Sequence, residues 1–171
     1  MANTFFQIGS TVTVGSGGAA SIDFTSIPAT FTDLIVKVSA FPTTGGTTQL
    51  KIQFNSTGGT AYSDKVIEGA GSGTPSSFAR SAQAFIFVTA ADATTASTFG
   101  NTELYIPNYA GSTAKSVSID SVTENNATTA YAALVAGLST NTAAINAINL
   151  TLNATNFAQY STASLYGIKS S

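Results

Sequence analysis

What most constrains this chain is a hydrophobic period of two, repeated in runs too short for any other regular structure. Between Thr102 and Asn125, Leu104 and Ile106 alternate with Glu103 and Tyr105, and Val117 and Ile119 alternate with Ser116, Ser118 and Asp120. An Asn-Tyr-Ala-Gly-Ser loop joins the two runs, so the stretch reads as a β-hairpin with one face for a core and one for water. Pro107 cannot donate to a ladder and is expected at a strand end, where Asn108 and Gly111 supply the turn. The strongest run, Asp33 to Phe41, sets Leu34, Val36, Val38 and Ala40 on one face and is expected as a central strand. Leu50, Ile52 and Phe54, alternating with Lys51 and Gln53, make a half-buried partner. Ile148, Leu150 and Leu152 repeat the pattern. Leu165, Tyr166 and Ile168 are expected in an interior strand, because an apolar cluster so near the end would otherwise stay exposed.

Tyr131 to Leu138 favours helix by its alanines, but its length and its Thr and Ser flanks fit a strand better. The longest breaker-rich stretch, Gly69 to Ser77, reads as an exposed loop and a candidate contact or tip region. Roughly nine to eleven strands spaced at ~8–14 residues point to an antiparallel sandwich. The expected fold is therefore all-β, an antiparallel two-sheet sandwich of jelly-roll type. It forms a single domain over residues 1–171, with 1–18 an N-terminal arm or edge strand.

The side-chain inventory removes most chemistry. There is no cysteine and no histidine, which takes away disulfides, thiolate ligands, the commonest metal ligand and the usual general base near neutral pH. Charged residues are only 8% of the chain, whereas 27 Thr and 21 Ser supply a polar but nearly uncharged surface. Six basic and eight acidic side chains leave a net charge of −2, so no basic footprint marks a nucleic-acid or anionic-membrane partner. No apolar run is long enough to span a membrane, and Met1-Ala2-Asn3-Thr4 lacks a basic leader, so folding in the cytoplasm that made the chain is expected.

The remaining candidates have bland readings beside the functional ones. Asp64 with Glu68, and Asp120 with Glu124, are carboxylates four apart. On strands that spacing separates them by about 13 Å, too far to share a proton or a metal, so they read as solvated surface charge. The glycine runs at 15–18 and 69–73 match no phosphate-binding loop. No tryptophan is present to line a sugar subsite. The six tyrosines read as cross-strand packing residues, with a carbohydrate-stacking surface as the other reading. Sequons at Asn55, Asn126 and Asn153 are no more than an Asn- and Thr-rich composition produces. Neither catalytic residues nor a cofactor or metal is expected, and the chain is not expected to be an enzyme.

Three blocks, Ser26-Ile-Pro-Ala-Thr-Phe-Thr-Asp-Leu34, Leu50-Lys-Ile-Gln-Phe-Asn55 and Asn156-Phe157 with Ser164-Leu-Tyr-Gly-Ile168, share their order and spacing with a known group. Tyr105-Ile-Pro-Asn-Tyr109 fits between them. Together they resemble small β-sandwich structural proteins of tailed bacteriophages of aquatic bacteria, including cyanophages. The resemblance implies a non-enzymatic virion component, foremost a decoration (cement) protein on the outer capsid surface, made in the host bacterial cytoplasm and bound to the major capsid protein. The alternative is a receptor- or glycan-binding module of a tail, neck or head-fibre appendage. Two features add an expected homo-oligomer, a trimer: Phe85 and Phe87 share a run with Ile86 and Val88, so both faces need cover, and Phe5 and Phe6 are too apolar for a free arm. These four phenylalanines are the candidate subunit or capsid contacts.

Overall fold

The computed structural model describes residues 4–44, 48–59, 61–71, 73–82, 84–90, 98–124 and 130–169, and for 86–90 it describes the backbone alone. Every regular element among the described residues is a strand. In chain order these are β1 (Phe5–Gln7), β2 (Val12–Thr13), β3 (Ser21–Phe24), β4 (Asp33–Ala40), β5 (Thr48–Phe54), β6 (Tyr62–Ala70) and β7 (Ser76–Ala82). They continue as β8 (Phe85–Ala90), β9 (Gly100–Ile106), β10 (Lys115–Glu124), β11 (Ala130–Ser139), β12 (Ile148–Leu152) and β13 (Thr162–Ile168). A nine-stranded sheet has the order β1-β13-β4-β9-β10-β11-β6-β7, with β2 also on β13, and a four-stranded sheet has the order β3-β12-β5-β8. Neighbouring strands are antiparallel throughout, so the chain forms the all-β two-sheet sandwich that its alternation dictates.

The period of two becomes the core directly. On β10, burial alternates at every residue from Lys115 to Glu124. Strand β4 lies between β13 and β9 and buries Leu34, Val36, Val38 and Ala40. These meet Leu50, Ile52 and Phe54 of β5 and Ile148, Leu150 and Leu152 of β12 in one apolar cluster between the sheets. Each Leu, Ile, Val or Phe among them contributes about 1.5–3 kcal/mol by leaving water. Leu165 of β13 joins them at 1% exposure, so the C-terminal strand is interior. Tyr131 to Leu138 lies wholly within β11, whose Ala133 and Val135 are buried.

One end of the sandwich is knitted by side chains. Asp33 accepts hydrogen bonds from the Tyr105 hydroxyl at 2.8 Å and the Asn108 amide at 2.9 Å. The Tyr109 hydroxyl donates to the Pro28 carbonyl, and the Phe31 ring lies so close over Gly167 that a Cβ there would meet it at 2.3 Å. Asn55, in the left-handed region at φ 52°, accepts from the amides of Asn146 and Ala147 and donates to the Ala144 carbonyl. Residues from Ser26–Leu34, Leu50–Asn55, Tyr105–Tyr109 and Ser164–Ile168 thus serve as joints of the fold.

Two expectations need correction. The expected loop Gly69 to Ser77 is shorter than read: β6 runs to Ala70 and β7 starts at Ser76, so the exposed part between them is a turn in which the Gly73 amide bonds the Ala70 carbonyl. Asp64 is not solvated but buried, for the reason given below. Asn126, one of the three sequons, lies outside the described residues.

Candidate interaction surfaces

The N-terminal phenylalanines sit on an edge strand rather than a loose arm. Phe5 pairs in register with Ile168 and Phe6 with Gly167. Phe5 stacks on Tyr166 with ring centres 4.7 Å apart, yet keeps 41% exposure. Phe6 leans on Phe31 at 6.0 Å, and the Lys169 ammonium lies over both rings at 5.6 and 5.4 Å. Phe85, expected to need another subunit's cover, is fully buried in its own chain, edge-on to Tyr62 at 4.9 Å and Phe54 at 5.7 Å. The small sheet therefore turns Phe85 inward, and no contact surface is built from it. Phe87 pairs with Leu50 along the backbone, and its side chain lies outside the described residues.

The outer face of the nine-stranded sheet divides into two halves. One transverse row follows the register from Ser164 through Lys37, Glu103, Asp120 and Leu134 to Ile67. Its first part is polar: Lys37 and Glu103 form an exposed ion pair at 2.7 Å, and their hydrogen bond raises the lysine's pKa. Past Asp120 the row becomes apolar. Leu134 and Ile67, direct partners on β11 and β6, are each 57% exposed, with Leu138 at 39% and Val122 at 38% around them. Ala132 and Ala136 complete a stripe down β11.

The charge placement on this half is asymmetric. Asp120 stands directly opposite Glu103, a like-charge contact that disfavours both, and Lys37 already pairs with Glu103. Lys65 on β6 lies in the neighbouring row, opposite Ala136. Neither Asp120 nor Lys65 has an ion-pair partner among the described residues.

Inside the molecule, charge is paired or capped. Arg80 of β7 grips Asp64 of β6 with Nε–Oδ1 at 2.9 Å and Nη2–Oδ2 at 3.2 Å, while its guanidinium lies 5.2 Å from the Phe78 ring centre. The carboxylate is only 3% exposed, so the hairpin register that sets Arg80 across from it is what permits its burial. Beside this pair, Gln49, Glu68 and Tyr131 line a small recess of about 240 Å³. Lys115 is buried too, its Nζ donating to the carbonyls of Gly111 at 2.8 Å, Ala143 at 3.2 Å and Thr142 at 3.4 Å, and burial lowers its pKa.

The six tyrosines divide between core and surface, with Tyr105, Tyr131 and Tyr166 half-buried. Tyr62 and Tyr109 are buried, with Tyr62 Oη receiving the Phe54 amide at 2.7 Å, whereas Tyr160 stands alone at 68% exposure. Among the described residues no three His, Cys, Asp or Glu side chains gather as metal ligands. Searches of protein-family models and of curated proteins find no match to this chain.

Proposed function

We propose that the chain is a structural protein of a tailed-bacteriophage virion, a decoration protein seated on the outer capsid surface against the major capsid protein, with no catalytic role. The strand order carries the reading. Set aside the hairpins β6–β7 and β10–β11, which extend the large sheet, and eight positions remain: β1/β2, β13, β4 and β9 facing β3, β12, β5 and β8. Strands that follow one another in sequence then alternate between sheets except at β5 and β8, which are neighbours in the small sheet, an order that supports a jelly-roll plan of the kind used by viral capsid and lectin domains. The hydroxyl-rich, charge-poor surface and the resemblance of the four sequence blocks support the virion side of that pair.

A second reading, a glycan-binding appendage module, draws on the recess of Gln49, Glu68, Arg80 and Tyr131. It has less support, because the buried Tyr62 and Tyr109 leave few rings for a sugar to stack on.

The discriminating experiment locates the protein in a cryo-electron map of the purified particle and washes such particles in molar salt. Density on the capsid lattice, retained after the wash, is expected, because contacts poor in charge are not screened. Density confined to tail or neck, or ready release by salt, would exclude the decoration role.

A further inference from the structure

We infer that the apolar half of the large sheet's outer face, on β10, β11 and β6, is where a second copy of this chain docks, face to face about a twofold axis running along β11. This does not depend on the virion assignment. Four observations lead to it. Leu134 and Ile67, adjacent in register and each more than half exposed, head an apolar patch on an open sheet face, the kind of surface that soluble proteins keep small unless it is covered. In the row of Leu134 and Ile67 the sheet's other half carries Ser164, Lys37 and Glu103, so the patch is cut off along that row from Phe5, which is 41% exposed on the far edge strand β1.

Charge then selects the partner. An axis along β11 leaves β11 facing its own copy and carries β10 of one copy over β6 of the other. Asp120, on β10, then meets the row of Ile67, and Lys65 is one row away, about 7 Å along the strand and within a lysine's reach. Twofold symmetry makes the contact twice, and each ion pair uses two charges that have no ion-pair partner among the described residues of one copy. An axis across the strands would instead set β10 on β10 and bring the acidic side chains together. Self-complementarity of this kind is what an isologous interface requires, and packed sheets tolerate strand directions up to about 30° apart.

The size of the face decides the strength. Three strands at ~4.8 Å spacing and ~30 Å length cover roughly 430 Å². Two such faces bury roughly 860 Å², below the usual range for stable specific interfaces, so a weak dimer dissociating at roughly 100 μM is expected. A pair closes on itself, making the symmetry twofold and not the threefold expected from the sequence.

The test is sedimentation equilibrium of the full chain from about 1 to 300 μM, with Leu134→Glu, Lys65→Glu, Asp120→Lys and the double charge swap. Circular dichroism confirms that each exposed-site variant is folded. Wild type should pass from monomer toward twice the monomer mass. Leu134→Glu should be monomeric throughout, each single charge reversal should weaken association about tenfold, and the double swap should restore it. A monomeric wild type at 300 μM, a trimeric mass, a dimer unaffected by Leu134→Glu, or a double swap no tighter than either single reversal would each overturn the inference.

Discussion

The Tyr62 hydroxyl sits where two sheets would otherwise leave a backbone amide short of an acceptor. It receives the Phe54 N–H at 2.7 Å inside an aromatic trio with Phe54 and Phe85. Burial raises the pKa of Tyr62, and of Tyr109, above 10.0. The sign of the pH effect follows. Above pH 10 the unfolded chain loses phenolic protons that the folded chain keeps, so the native state binds more protons and stability falls as pH rises. The contribution is complete below 10.0 and is lost as pH climbs through the raised folded values. Lys115 acts oppositely below 10.5, since its lowered pKa makes the unfolded chain the better proton binder there. Comparing Tyr62→Phe with wild type in urea titrations at stepped pH isolates the first effect. At pH 7 the variant should lose about 1 kcal/mol for the missing acceptor, and its decline above pH 10 should be shallower. Parallel declines would mean that the phenol is not protected from titration.

Among elements, the β6–β7 hairpin shows where side-chain pairing, and not apolar pattern, secures a strand. Strand β7 reads Ser-Ser-Phe-Ala-Arg-Ser-Ala, with Phe78 as its sole large apolar residue. Arg80→Ala would leave the Asp64 carboxylate buried without its cation, a loss of about 3 kcal/mol. The double variant Asp64→Val with Arg80→Ala removes both charges and should recover much of that, as read from urea midpoints. Equal losses in both would show the pair to be incidental.

The same hairpin marks the limit of the sequence. Strands β4, β9, β10 and β13 were legible because each alternates apolar and polar residues against a single core. Strand β7 was not, since its Gly- and Ser-rich neighbourhood has the composition of a loop and its partner lies across a turn. Asn55 entered the sequence reading as a sequon, but its side chain ties down residues 144–147, a long-range role that no local pattern carries. The exposed stripe on β11 was concealed differently. Leu134, Val135, Ala136 and Leu138 form a nearly continuous apolar run, which signals a strand but not which face water will touch. Attention fell instead on Phe85, whose two-sided run is met by the core of its own chain.

At the scale of the molecule, the fold is closed by its ends. The pairings β1 with β13, β3 with β12, β4 with β9 and β5 with β8 nest inside one another, so much of the chain must be in place before the outermost pair forms. Such non-local pairing predicts slow folding, in milliseconds to seconds. It also makes the two termini unequal. Strand β1 is a short edge held by Phe5 on Tyr166 and Phe6 on Phe31. Removing residues 1–8 should lower the melting temperature and leave a cooperative transition. Strand β13 lies between β4 and the N-terminal strands, buries Ala163 and Leu165, and shields β4 along its length. Without residues 164–171, most of β4 loses its partner on that side and its Leu34 and Val36 lose cover, leaving an apolar edge open to pairing with other chains. That truncation should express as aggregate, with no cooperative thermal transition in whatever remains soluble. Should it prove soluble with an unchanged melting temperature, closure through β13 would not be what holds the two sheets together.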